Sequence, residues 1–98
     1  MSKADEELYR RVDEVLHYVW DPLGVSDTPE ARDEYYSYLA RVLSLLKTSS
    51  DVEQIAEYLS DVIIVRMGVT SNRTKNLEVA QLLLDWKYVI EKKYSQVP

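Results

Sequence analysis

The chain has 98 residues, no cysteine and a formal net charge of −5. Disulfides, thiolate metal sites and cysteine nucleophiles are therefore excluded. The excess of acidic side chains argues against nucleic-acid binding, which requires Lys and Arg to neutralise phosphates. With an apolar content of 46%, the length predicts a single globular domain over residues 1–98.

Neither a secretory signal nor a membrane span is expected. Residues 1–7 are acidic and contain no apolar run, unlike a secretory signal. The longest apolar runs, such as 62–65 and 82–84, are far shorter than the ~20 residues that cross a membrane. We therefore predict a cytoplasmic protein with no membrane partner.

The first predicted helix covers residues 3–20. Apolar residues recur there at helical spacing, and three acids occupy the first turn, where the helix dipole favours anions. The apolar stripe consists of Leu8, Val12, Val15, Leu16 and Val19. We expect Asp21-Pro22 to end this helix, because the residue before a proline is pushed out of the helical conformation.

The second helix is predicted over residues 29–47. Asp27 or Thr28 can cap it, and Pro29 suits the first helical position. Its apolar stripe is widened by Tyr36 and repeats at helical spacing through Tyr35, Leu39, Val42 and Leu46.

The third helix is predicted over residues 51–67. Ser50 and Glu53 match the capping-box pattern. Gly68 follows the helix and can take the left-handed conformation that ends many helices.

The fourth helix is predicted over residues 75–94. Its inward-facing residues are expected to be Val79, Leu82, Leu83, Trp86, Val89 and Ile90. Four helices with short connections predict an all-α protein, a compact four-helix bundle. An up-down and an orthogonal arrangement stay open.

No group of residues supports catalysis. His17 is the single histidine, and no strand-turn-helix context presents a nucleophilic serine to it. A zinc-binding helix needs two histidines, and two glycines cannot build a phosphate-binding loop. We predict that the protein is not an enzyme, and we assign it no catalytic residue, cofactor or metal.

Two candidate features lie at the end of the first helix. His17 and Asp21 are one turn apart and could ligate a metal or move a proton, or they are an ordinary helix-end pair. The turn from Trp20 to Val25 is interpreted as a rigid corner. There Leu23 and Val25 plug the bundle end and Asp21 bonds loop amides. A functional interpretation places Asp21 in a pocket facing the second helix.

A third feature is the run Asp33-Glu34-Tyr35-Tyr36-Ser37-Tyr38. Its carboxylates could hold a cation, or simply favour the dipole of a helical first turn. The chain contains eight tyrosines and no phenylalanine, and tyrosine suits half-buried positions and binding surfaces. The candidate binding residues are therefore His17, Trp20, Asp21, Asp33, Tyr36 and Tyr38.

Three motifs carry a family resemblance: residues 19–25, residues 33–38 and Met67-Gly68. Over about residues 8–86 the chain resembles a family of small bacterial proteins of unknown function. That family has a Trp-Asp-Pro-aliphatic-Gly turn and an Asp-Glu-Tyr-Asp-Ser-Tyr helix. Tyr36 stands where the family often has an acid, which weakens the idea of a carboxylate cluster. The resemblance implies a helical bundle and no catalytic residues.

The leading functional hypothesis is a non-catalytic protein interaction module that acts as an inhibitor, immunity or regulatory partner. Residues 1–35 contain ten acids and four bases, a net charge of −6, which suits a basic partner protein. The alternative is a small-molecule or metal-binding domain around the corner after the first helix. Homo-oligomerisation follows if second apolar rows such as Tyr38, Leu45 or Leu84 are exposed.

Overall fold

The computed structural model describes residues 2–95, and this part of the chain contains helices and no strands. The four helices are α1 (Lys3–Glu14, continued by a π-helical turn over Val15–Trp20), α2 (Tyr36–Thr48), α3 (Val52–Asp61, continued by a π-helical turn over Val62–Arg66) and α4 (Arg73–Ser95). The predicted all-α four-helix bundle is confirmed. None of these helices is long and apolar enough to cross a membrane.

Helix α4 contacts each of the other three helices. It runs antiparallel to α1, as is shown by the contact of Lys93, near the end of α4, with Glu7, near the start of α1, at 2.8 Å. At the opposite end, the Trp20 Nε1 atom of α1 donates to Asn76 Oδ1 in the first turn of α4. These two contacts align the helices along most of their length.

The bundle is a flat slab of 48 × 30 × 18 Å. Packed helices lie about 8–10 Å apart, so the short dimension holds about two layers. Buried aliphatic side chains fill the space between them: Val12, Leu16, Leu39, Val42, Leu46, Ile55, Leu59 and Leu83. A slab this thin leaves several large apolar side chains on its surface.

Helix α1 ends at the predicted place, Asp21-Pro22, but its last turn is π-helical. Asp21 N donates to Leu16 O at 3.0 Å, five residues back. A π turn contains more residues than an α turn, so side chains near the helix end rotate relative to the α-helical stripe. Val19, predicted to face inward, is exposed for this reason.

Helix α2 begins at Tyr36, and the prediction that it begins near residue 29 is wrong. Pro29 does follow the cap position Thr28, but it starts a single 3₁₀ turn. Successive i→i−3 backbone hydrogen bonds continue through Tyr38. Tertiary bonds from Arg32 and Tyr35 to α1 and its corner hold the segment in tight turns instead of an α-helix.

Helix α3 is capped by Asp51, whose side chain accepts from Glu53 N at 2.9 Å. The predicted capping box at Ser50 is therefore wrong. The Ser50 hydroxyl instead lies 3.4 Å from Lys87 Nζ, a buried ammonium that also donates to Ser49 O. Gly68 follows the helix with φ +67°, which confirms its predicted role.

The buried face of α4 differs from the predicted stripe. Val89, expected to face inward, is 58% exposed, whereas Leu84 is buried. Because α4 packs against three helices, its buried arc is wider and displaced from a single stripe. Tyr38 and Leu45 are half-buried against the core, so the predicted second apolar rows are not left open.

Candidate functional site

Asp21 forms the corner that joins α1 to the following loop. Its backbone is left-handed, with φ 34°, a conformation that aspartate tolerates better than most residues. Val25 N donates to Asp21 Oδ1 at 2.8 Å, and Ser26 N donates to Oδ2 at 3.0 Å. The predicted bonding of loop amides by Asp21 is confirmed.

The side chain that completes this corner is Tyr35. Its buried hydroxyl donates to Asp21 Oδ1 at 2.7 Å and accepts from Leu23 N at 3.1 Å. Val25 packs against the core as predicted. Leu23 is exposed, so the prediction that it plugs the bundle end is wrong. The ring of Tyr35 closes this end instead.

The electrostatics of the corner keep Asp21 ionised and Tyr35 neutral. Burial acts to raise the pKa of Asp21, but hydrogen bonds from Tyr35 and from two backbone amides hold that pKa below the ordinary value of 3.8. Two causes raise the pKa of Tyr35 well above 10.0: burial, which is the larger, and the hydrogen bond to the Asp21 carboxylate. A carboxylate held this way is poorly matched to general-base chemistry near neutral pH.

Trp20 lies inside the bundle beside the corner. Its ring meets the Tyr35 ring edge-on at a centroid distance of 5.4 Å, and Nε1 donates to Asn76 Oδ1 at 3.1 Å. Asn76 Nδ2 in turn donates to Ser71 Oγ, which lies 3.0 Å from Ser60 Oγ. This polar chain ties α1, α3 and α4 together, and Trp20 has no surface to offer a ligand.

His17 is also an interior residue, only 2% exposed. Its Nδ1 is buried without a hydrogen-bond partner, and its ring packs edge-on against Tyr18 at 4.5 Å. Both oxygens of Asp21 are bonded within the corner. The predicted pairing of His17 with Asp21 is therefore not formed within residues 2–95.

The remaining predicted residues lie at the start of α2. Asp33 is exposed in the turns that precede the helix, so it does not occupy a helical first turn. Tyr36 is 49% exposed, and Tyr38 is half-buried against the core. The structure therefore brings Trp20 together with Asp21 through Tyr35, but it leaves Asp33 outside that cluster.

A residue outside the predicted set dominates the adjoining surface. Tyr18 is 59% exposed, and the guanidinium of Arg32 stacks over its ring at 5.3 Å. Two 2.9 Å hydrogen bonds to Asp13 fix that guanidinium and are the main cause that raises the pKa of Arg32.

Next to Tyr18, a shallow groove of about 330 Å³ runs between α1 and α4. It is lined by Val19, Leu82 and Trp86, among others. The guanidinium of Arg11 lies 5.5 Å from the centre of a Trp86 ring. We call Tyr18, Val19, Leu82 and Trp86, with Arg11 and Arg32 above the rings, the aromatic surface.

Acidic side chains border the aromatic surface. Glu14 lines the groove and forms an ion pair with Arg11, in which Nε and the carboxylate oxygen are 2.7 Å apart. Glu78 and Asp85 are exposed on α4, about one turn before and after Leu82, and therefore lie on the same helix face. Asp13 pairs with Arg32 and Glu14 with Arg11, which leaves Glu78 and Asp85 as an acidic rim whose members form no ion pair within residues 2–95.

The sequence contained a signal for part of this surface. Tyr18 falls between the apolar stripe positions of α1, where an aromatic residue has no core to enter. The place of Arg32 over the Tyr18 ring could not be predicted, because it depends on hydrogen bonds to Asp13, 19 residues away. The helical periodicity also assigned Leu82 and Trp86 wholly to the core, whereas both are half-buried.

Among residues 2–95, no three histidine, aspartate or glutamate side chains lie close enough together to hold a metal ion. The comparisons with known proteins found no match to a family model, a curated protein or a solved structure. The resemblance to a small bacterial helical family stays a prediction.

Proposed function

We propose that this protein is a non-catalytic interaction module that binds a basic partner protein through the aromatic surface. The observation that carries the proposal is the exposed Tyr18 ring, with Arg32 stacked over it and an apolar groove beside it. Tyrosine, tryptophan and arginine are the residues that most often supply the binding energy of protein interfaces.

The side chains of this surface are already held in place. Arg32 is fixed by two hydrogen bonds to Asp13, and Arg11 forms an ion pair with Glu14. Binding then orders few side chains, and the entropic cost per immobilised side chain, about 0.5–1.5 kcal/mol, is reduced. The groove between α1 and α4 can accept apolar side chains of a partner while the two arginines stay stacked on their rings.

The charge of the surroundings favours a basic partner. Glu78 and Asp85 form the rim, and residues 1–35 carry a net charge of −6, from ten acids and four bases. Complementary charge accelerates association and disfavours acidic competitors. The same rim repels phosphate groups, so a basic protein fits this surface better than a nucleic acid does.

The biological role that suits such a module is that of an inhibitor, immunity or regulatory partner. A small acidic bundle with one fixed aromatic surface can occlude a basic surface on its target. We extend the proposal to a bacterial, cytoplasmic protein, in agreement with the resemblance noted in the sequence.

The proposal is tested with matched tyrosine variants. Tyr18→Ala removes the centre of the aromatic surface on α1. Tyr88→Ala removes a comparably exposed tyrosine of α4 that is not part of that surface and lies near a lysine. Each tagged variant is used for affinity purification from the native cell, with elution by a salt gradient and identification by mass spectrometry.

We expect a basic protein that co-purifies with the wild type and with Tyr88→Ala, is released by salt, and is lost with Tyr18→Ala. Both variants should keep the thermal stability of the wild type, because both side chains are exposed. Equal recovery of the same proteins by Tyr18→Ala and Tyr88→Ala would refute the proposed surface. Recovery of none by the wild type would refute the function.

A further inference from the structure

A second apolar patch lies at the end of α3. Ile64 is 55% exposed and Val65 78% exposed, and Val69 is exposed beside them. Val65 is the most exposed large apolar side chain among residues 2–95. None of these three side chains lines the groove of the aromatic surface.

The backbone holds this patch in one conformation. Met67 N donates to Val62 O at 3.1 Å, and Val69 N donates to Ile63 O at 3.2 Å. Gly68, with φ +67°, turns the chain between these bonds. The aliphatic side chains are thus presented by a closed helix end, and covering them requires little further ordering of the backbone.

The charges around the patch are of both signs. Asp61 lies one turn before Ile64 and Val65, and Arg66 directly follows them. Both side chains are exposed, and neither forms an ion pair within residues 2–95. An acid and a base therefore flank the patch, although the whole chain carries a net charge of −5.

We infer that the patch of Ile64, Val65 and Val69 binds a second copy of this chain, forming a two-fold symmetric dimer. A two-fold contact requires a self-complementary surface. Two α3 helix ends that cross antiparallel near Ile64 bring Asp61 of each copy towards Arg66 of the other. The aromatic surface lacks this property, because two acidic rims would face each other there.

The dimer is weak and has a functional consequence. Three aliphatic side chains cover much less than the ~800 Å² per partner of a standard interface, so the contact forms at high protein concentration. It leaves both aromatic surfaces free. A dimeric target would meet two of them at once, which raises avidity without any new type of contact.

The test is sedimentation velocity and equilibrium over a concentration series up to about 1 mM, the range in which interfaces smaller than the standard size dissociate. We expect the wild type to dimerise within this range and Val65→Lys to be monomeric throughout. Lysine suits a helix C-terminus, so this variant should fold as the wild type does. Tyr18→Lys, a matched change on the aromatic surface, should dimerise as the wild type does.

Charge exchange tests the register of the contact. Asp61→Arg and Arg66→Asp should each weaken dimerisation at least tenfold, and the double variant should recover most of that loss, because the opposite charges again meet across the axis. A monomeric wild type at about 1 mM, or unchanged dimerisation of Val65→Lys, overturns the inference. Loss of dimerisation in Tyr18→Lys alone moves the self-contact to the aromatic surface and overturns it as well. None of these results depends on whether a basic partner exists.

Discussion

Helices α1 and α3 both end in a π-helical turn, but the two turns face different surroundings. In the first, over Val15–Trp20, the terminal Trp20 is buried and hydrogen-bonded, and Asp21 binds the loop that follows. In the second, over Val62–Arg66, Ile64 and Val65 are exposed to solvent. The first turn also exposes Tyr18 and Val19, and the second also buries Val62 and Ile63, so the two ends differ in their last residue, which is buried at Trp20 and exposed at Arg66.

A π turn therefore does not determine whether a helix end is buried or exposed. The deciding factor is whether another element covers it. Asn76 of α4 and Tyr35 before α2 reach the end of α1. The end of α3 is covered on one side only, so its outer face is available to a partner. Substitutions at the two ends test this comparison.

The largest difference is expected between Trp20→Ala and Val65→Ala. Removing the buried tryptophan leaves a cavity and an unpaired Asn76, and should lower the free energy of unfolding by about 3–5 kcal/mol. Removing the exposed valine should change it by less than about 0.5 kcal/mol. Urea unfolding followed by circular dichroism, at a protein concentration low enough to keep the chain monomeric, measures both. Equal losses would contradict the contrast between the two ends.

A smaller loss is expected for Tyr35→Phe, which keeps the ring but deletes the hydroxyl between Asp21 and Leu23. The free energy of unfolding should fall by about 1–3 kcal/mol, because a buried charge-assisted hydrogen bond is lost and the Leu23 amide is left without its acceptor. Tyr36→Phe at the neighbouring exposed position is the control and should have almost no effect. If the two variants were equally stable, the corner would not depend on Tyr35.

The two glycines offer a comparison in which the two regions should agree. Gly24 and Gly68 both have φ +67°, and a Cβ atom at either position would meet nothing within 4 Å. Alanine at either position should then lose about 1–2 kcal/mol from backbone conformation alone. Thermal unfolding of both variants checks this. A much larger loss at Gly24 would mean that the corner also constrains the loop through packing.

The smallest expected effect is the pH dependence contributed by Asp21. Its pKa is below 3.8 in the folded protein, so its stabilisation is fully present above the pKa of the unfolded chain and is lost as the pH falls through the folded value. The stability difference between the wild type and Asp21→Asn should therefore be constant near neutrality and shrink below about pH 4. Urea titrations at several pH values measure it. A difference that grows in acid would reverse the sign of the argument.

Much of the fold could be predicted from the sequence, because helix periodicity and helix ends are local properties. The ends at Asp21-Pro22 and Gly68 are examples, as is the bonding of loop amides by Asp21. The start of α2 could not be predicted. Pro29 and its neighbours favour a helix locally, but the bonds of Arg32 and Tyr35 to distant residues impose turns as far as Tyr36.

The candidate site was only partly within reach of the sequence. The segment around Trp20 and Asp21 was identified, yet Trp20 and His17 are interior residues and the exposed Tyr18 was not singled out. A side chain's exposure depends on which other helix covers it, and the partner of Trp20 lies 56 residues away. No pattern within α1 contains the information that Asn76 covers Trp20.

The all-α class, the four helices and the residues that stop them follow from the sequence, because spacing, capping and backbone preference act within a few neighbouring residues. Tertiary contacts determine which ring closes the corner at Asp21, which aromatic residues face solvent, and why the last residue of α1 is buried whereas that of α3 is exposed. These properties depend on segments that lie far apart in the chain, such as Trp20 and Asn76, which are 56 residues apart.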